Sequence, residues 1–132
     1  MAAQNEGQML LSLLCPDDTD PQKPMNENCL INPTDDLPFK DRLGRCYELA
    51  GLLTIHNPEV MLVHGSIQNF NKPRLAHAWV ELPDGTKWEP ATNQIWSRSS
   101  FGAFFHPQVT RKYANRAALE KFLHFETYGP WN

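Results

Sequence analysis

The 132-residue chain has no apolar run approaching the ~20 residues that a membrane-spanning helix needs. The longest is Met9-Leu10-Leu11-Ser12-Leu13-Leu14-Cys15, preceded by Glu6 instead of basic residues and followed by Pro16-Asp17-Asp18 instead of a small-residue cleavage site. It reads as a short helix packed on the domain, not as a secretion signal. Cysteine is scarce: Cys15, Cys29 and Cys46. An odd number cannot pair fully within one chain, and three are too few for a disulfide scaffold. The expectation is a cytoplasmic protein with reduced thiols. Positive charge is not in excess, with 12 Lys and Arg against 15 Asp and Glu, a net of −3. That excludes a general nucleic-acid binder, which needs many phosphate-neutralising cations. Cys-x-x-Cys and His-x-x-x-His spacings are missing, so no metal site and no cofactor is expected. A zinc site joining His64 or His106 to Cys46 or His77 is the weaker alternative. Repeats and low-complexity tracts are also lacking.

What is present suits a soluble globular domain: 41% of residues are apolar and 20% charged. A chain of this size buries roughly two-thirds of its unfolded surface, enough for a core without staples. The charge is uneven. Residues 1–41 hold eight acids and two bases, net −6, while residues 42–132 hold ten bases and seven acids, net +3. Five of the eleven prolines also fall in the first 41 residues. The chain therefore divides into an acidic, proline-rich segment, 1–41, packing on a domain, 42–132. Residues 16–38 read as irregular. Arg98, Arg111, Lys112 and Arg116 read as solvated surface.

Periodicity places the elements of the domain. Cys46, Leu49, Ala50 and Leu53 form one stripe of a helix over Arg45–His56, with Asp41 a candidate cap and Asn57-Pro58 the stop. Val60-Met61-Leu62-Val63 within Glu59–Gln68 is a strand signal. Two short strands, His77–Leu82 and Thr86–Ala91, flank Pro83-Asp84-Gly85. The aromatic-rich region 97–112 reads as irregular, and Asn115–Glu126 as an amphipathic helix. A helix followed by antiparallel strands is an α+β pattern.

The turn also sets side-chain directions. Pro83-Asp84-Gly85 suits a three-residue hairpin loop, a type I turn closed by a residue of positive φ. That register pairs Leu82 with Thr86, Glu81 with Lys87, Val80 with Trp88, Trp79 with Glu89 and His77 with Ala91. Ala78, Val80, Leu82, Trp88 and Pro90 then share the core face. His77, Trp79, Glu81, Lys87 and Glu89 share the other, with His77 and Glu89 diagonal neighbours. A two-residue Asp84-Gly85 turn would send Glu89 to the opposite face.

Cys46 at a helix N-terminus, where free amides and the helix dipole favour a thiolate, is a candidate nucleophile. His77 is the matching base, Glu89 the acid that orients it, and the Cys46 N–H a natural oxyanion donor. Trp79, on the face of His77, is a candidate substrate-binding wall. Cys15 and Cys29 read as incidental thiols.

The order Gly44-Arg45-Cys46-Tyr47-Glu48-Leu49-Ala50, His77-Ala78-Trp79-Val80-Glu81 and Trp88-Glu89-Pro90-Ala91-Thr92 resembles the transglutaminase-like branch of the papain-like cysteine-enzyme superfamily. The resemblance covers roughly residues 42–96. It implies a papain-like core, with a Cys-bearing helix packed on a small antiparallel sheet, and a Cys-His-acid triad. The usual Asp of that family stands here as Glu89. In other members the acid comes four residues after the Trp, where this chain has Thr92. Asn93 is then an alternative third member. The expected function is hydrolysis of, or acyl transfer from, an amide or peptide-type bond of a peptide or protein substrate. The competing expectation is an inactive protein of the same fold that binds or inhibits a partner protein.

Overall fold

The computed structural model describes residues 30–131. The Met9–Cys15 segment, Cys15 and Cys29 lie outside the described residues. The architecture is α+β. Helix α1 (Cys46–Ile55) is followed by strands β1 (Met61–Ile67), β2 (Leu75–Glu81), β3 (Lys87–Glu89) and β4 (Gln94–Trp96). Helix α2 (Arg98–Phe105), strand β5 (Gln108–Ala114) and helix α3 (Asn115–Phe125) complete it. The five strands form one antiparallel sheet in the order β4-β3-β2-β1-β5. Among the described residues, no helix is long and apolar enough to cross a membrane.

The sheet has an apolar layer on each face. Alternation along β1 and β2 sends Leu62, Ala78 and Val80 into a core with Leu49, Ala50 and Leu53 of α1, Ala118 of α3, and Trp88. Val63, Ile67 and Trp79 point to the other face and pack on Phe101 and Phe105 of α2. This second layer corrects the irregular reading of 97–112. Ser97 accepts a hydrogen bond from the Ser100 N–H and caps α2, which holds Phe101 and Phe105 on one side. The chain then returns as β5, an edge strand along β1 whose residues are exposed apart from Tyr113. The cap at Asp41 is also corrected. Asp41 lies in a separate 3-10 turn (Phe39–Asp41), and Gly44 at φ +77° redirects the chain before α1 starts at Cys46. Arg45 occupies the cap position with no side-chain cap bond.

The hairpin follows the expected register, Val80 opposite Trp88 and Glu81 opposite Lys87. Leu82 N–H donates to Thr86 O and Gly85 N–H to Leu82 O, each at 2.9 Å. Gly85 takes φ +89°, a region where only glycine rests without strain. The ladder is shorter than the expected one, because β3 ends at Glu89. The expected pairs Trp79–Glu89 and His77–Ala91 do not form.

Gly65, opposite His77, lies where β1 shifts register against β5. A Cβ there would collide with the Gln108 carbonyl oxygen and sit 3.0 Å from the Trp79 ring. Gly65→Ala is therefore expected to destabilise the fold by about 2–4 kcal/mol, through overpacking against backbone that has nowhere to go. A urea melt with an unchanged midpoint would refute this close approach.

Candidate active site

Residues 31–37 pack on the domain through three polar side chains. Asn57 accepts from Ile31 N–H and donates to Ile31 O and Leu53 O. Asn93 accepts from Asn32 and Trp88 and donates to Asp35. Arg42, only 2% exposed, donates to Pro90 O at 2.7 Å, Thr34 O at 2.6 Å, Leu37 O at 3.0 Å and Thr34 Oγ1 at 2.9 Å. Its guanidinium also lies 5.9 Å from the Trp88 ring centroid. Arg42 was invisible to sequence reasoning, since a lone arginine two residues before a glycine is ordinarily solvated.

Arg42 and Pro90 together leave one backbone donor free. Leu82 N–H bonds Thr86 O, so alternation turns the main-chain groups of Val80 and Ala78 toward β3 as well. Opposite Ala78 the ladder would need residue 90. Pro90 has no N–H, and Arg42 holds its carbonyl. The Ala78 N–H therefore donates to the Cys46 sulfur, as does the Tyr47 N–H at the start of α1. The half-buried Cys46 thiol thus sits on the open edge of β2, beside His77.

His77 joins the thiol to Glu89. Its Nε2 lies 2.8 Å from Glu89 Oε2, which leaves Nδ1 for the sulfur with which it hydrogen-bonds. The Glu89 carboxylate is 1% exposed but fully engaged. Oε2 also accepts from Ala91 N–H at 2.9 Å, and Oε1 from Thr92 N–H at 2.8 Å. The side chain thus curls back over its own turn, which its extra methylene allows. Thr92 contributes a backbone donor to this group. Asn93 is turned away at φ +53° and spent on Trp88, Asn32 and Asp35, with no hydrogen bond to His77.

The electrostatics follow from these contacts. Burial pushes the Cys46 thiol up, but the hydrogen bond and charge of His77 and the two backbone donors outweigh it and hold it below its ordinary value. Burial likewise opposes charge on His77, yet bonds to Cys46 and Glu89 raise it to about 9. Burial raises Glu89, and His77 and the Ala91 and Thr92 amides bring it below its ordinary value. The contacts thus bias Cys46 toward its thiolate, His77 toward its imidazolium and Glu89 toward its carboxylate.

Trp79 is 1% exposed. Instead of presenting a wall to solvent, it stacks on the His77 ring at 6.2 Å between centroids and is backed by Phe101. It holds the imidazole plane. Among the described residues, no three His, Cys, Asp or Glu side chains gather as a metal site. His106 is the left-handed C-cap of α2. His64 lies on the α1 face, ringed by Tyr47, Tyr113 and Trp131 with centroids 4.8–5.1 Å away, and its Nε2 has no hydrogen-bond partner among the described residues.

The two histidines give the fold opposite pH limbs. Burial lowers His64 to about 4, so its contribution is complete above the ordinary value of ~6.5 and is lost as pH falls through about 4. His77, raised to about 9, contributes fully below ~6.5 and loses that contribution as pH rises through about 9. Stability is expected to peak near pH ~6.5. Denaturant midpoints across pH should show His64→Phe flattening the acid limb alone; an unchanged acid limb would contradict a buried neutral His64.

No family model, no curated protein and no solved structure matches this chain.

Proposed function

We propose that this protein is a cysteine-dependent enzyme that cleaves, or transfers the acyl group of, an amide or peptide-type bond. We also assign its core to the transglutaminase-like branch of the papain-like superfamily. The observation that carries the reading is the placement of one buried imidazole between a half-buried thiol at a helix N-terminus and a carboxylate held by two backbone amides. A core histidine kept only for packing has no need of charged groups on both nitrogens.

In the proposed reaction, the Cys46 thiolate adds to the substrate carbonyl carbon, and the π electrons move to oxygen. The uncapped amide of Cys46 donates to that oxyanion. His77 gives its Nδ1 proton to the leaving nitrogen as the C–N bond breaks, leaving a thioester. Water, or an acceptor amine, then attacks the thioester. Neutral His77 takes its proton, and the Cys46 thiolate leaves as the C–S bond breaks, which restores the pair. Glu89 accepts from Nε2 throughout and stabilises the imidazolium.

Labelling of the full chain with an iodoacetamide fluorophore, mapped by mass spectrometry, tests the reading. Cys46 should react ahead of Cys15 and Cys29, and its lead should vanish in His77→Ala. Label that follows Cys15 or Cys29, or that ignores His77, would overturn it.

A further inference from the structure

Cys46 is held from two sides, by His77 and by the main chain, and the main-chain side leads to a residue that the proposed reaction does not use. The Tyr47 and Ala78 N–H groups both donate to the sulfur. His64 is a neighbour of both residues. On the sheet it stands directly opposite Ala78. The Ala78 main chain faces β3, so His64 and Ala78 form a pair without mutual ladder bonds, the kind in which side chains lie closest. Their Cβ atoms are then about 4.5–5.5 Å apart on the α1 face. On that face the His64 ring meets the Tyr47 ring edge-on, 4.8 Å between centroids and 81° between planes.

His64 is itself pinned from the C-terminal end of the chain. It is 4% exposed. The Trp131 ring lies 5.0 Å from its own, between centroids. The Gly129 backbone comes so close that a Cβ would stand 2.7 Å from His64 Cε1. The Trp131 indole N–H donates to Thr127 O at 2.9 Å, which fixes the segment over the imidazole. The His64 Nε2 has no hydrogen-bond partner among the described residues. Cores avoid a buried polar atom left in that way, so its presence calls for a reason. What this imidazole gives its neighbours is ring shape, a flat wedge between Tyr47, Gly129 and Trp131.

We propose that His64 is a positioning residue for Cys46, a brace clamped by residues 129–131 that keeps the Tyr47 and Ala78 amides converged on the sulfur. This inference rests on the function proposed above and extends its machinery to a residue behind the site. Helix α1 starts at Cys46 with no side-chain cap bond to anchor its first turn. Tyr47, the second residue of that helix, is tied to the sheet through its ring instead. If the brace is removed, the Tyr47 N–H draws away from the sulfur and the thiolate loses a charge-assisted hydrogen bond. Because the brace works by shape and not by hydrogen bonding, phenylalanine can replace the histidine and alanine cannot.

The test uses the full chain carrying Cys15→Ala and Cys29→Ala, so that Cys46 is the only thiol. Two quantities are read in protein shown to be folded by circular dichroism: thiolate absorbance against pH, and the rate of iodoacetamide alkylation at neutral pH. His64→Ala should move the thiolate midpoint to higher pH and slow alkylation about threefold. His64→Phe should keep both at the wild-type values. Leu53→Ala, which empties an equally buried position of the same core, should lower the denaturant midpoint and leave both thiol readouts in place. Trp131→Leu thins the clamp without emptying it and should shift both readouts in the direction of His64→Ala; it decides the question if His64→Ala does not fold. An unmoved thiolate midpoint in the folded variant would overturn the brace. So would a shift in Leu53→Ala as large as that in His64→Ala, or a His64→Phe protein that behaves like His64→Ala. Failure of the underlying thiol–histidine reading shows separately, as a wild-type midpoint that His77→Ala does not move.

Discussion

His77→Ala should slow alkylation of Cys46 at pH 7 by about tenfold or more, and turnover of an amide substrate by roughly 10³–10⁴-fold. The two numbers have different origins. Without His77 the thiol keeps its burial but loses its hydrogen bond and its counter-charge, so its titration moves up and less of it is thiolate at neutral pH. Weaker basicity costs a thiolate some nucleophilicity, which limits the alkylation effect. Amide cleavage suffers more, because the leaving nitrogen also loses its proton donor. Glu89→Gln separates these contributions. It keeps the volume and removes the charge facing Nε2, while its single amide oxygen can accept from only one of the Ala91 and Thr92 N–H groups. The imidazole value should then fall from about 9 toward the ordinary range, with a loss of turnover smaller than in His77→Ala. Alkylation at the wild-type rate in His77→Ala would remove the basis for the pair.

Arg42→Ala should destabilise the protein by about 3–5 kcal/mol, the largest effect expected of any single charged residue here. The substitution strips donors from Pro90 O, Thr34 O, Leu37 O and Thr34 Oγ1 at once. It also empties the space beside Trp88. Buried acceptors left unsatisfied cost more than a hydrogen bond contributes when made. Arg42→Lys keeps a charge but loses the planar fork, so it should recover only a fraction. The same change should reach the candidate site, because Arg42 holds the Pro90 carbonyl and so leaves the Ala78 N–H to the sulfur. Cys46 reactivity in Arg42→Lys should fall even where the protein stays folded. Denaturant melts decide the first point; a loss below about 1 kcal/mol would show that residues 34–37 and 90 find other partners.

The parts of this fold legible in the sequence are those set by short-range rules. Pro83-Asp84-Gly85 demands a left-handed third residue, which fixes the parity of β2 against β3 and brings His77 and Glu89 to one face. The stripe of Cys46, Leu49, Ala50 and Leu53 requires a helix, and places the cysteine at its first turn. What was not legible depends on partners distant in the chain. Helix α2 has only eight residues, with Gly102 in its middle, and its order comes from Phe101 and Phe105 packing on Trp79. Strand β5 lies at the sheet edge with mostly exposed side chains, so it shows no alternation. The third member of the site was open between Glu89 and Asn93 because both lie in one turn. The direction of that turn depends on Arg42, Asn32 and Asp35, which no local pattern connects to it.

The central claim is that His77 and Cys46 rest as an imidazolium–thiolate pair. Titrating the thiolate absorbance of a Cys15→Ala, Cys29→Ala protein tests it most directly, because Cys46 is then the only thiol. The pair predicts thiolate already present at pH 7, a midpoint below the ordinary ~8.5, and a shift to higher pH in His77→Ala. A midpoint at or above the ordinary value, unmoved by His77→Ala, would contradict it.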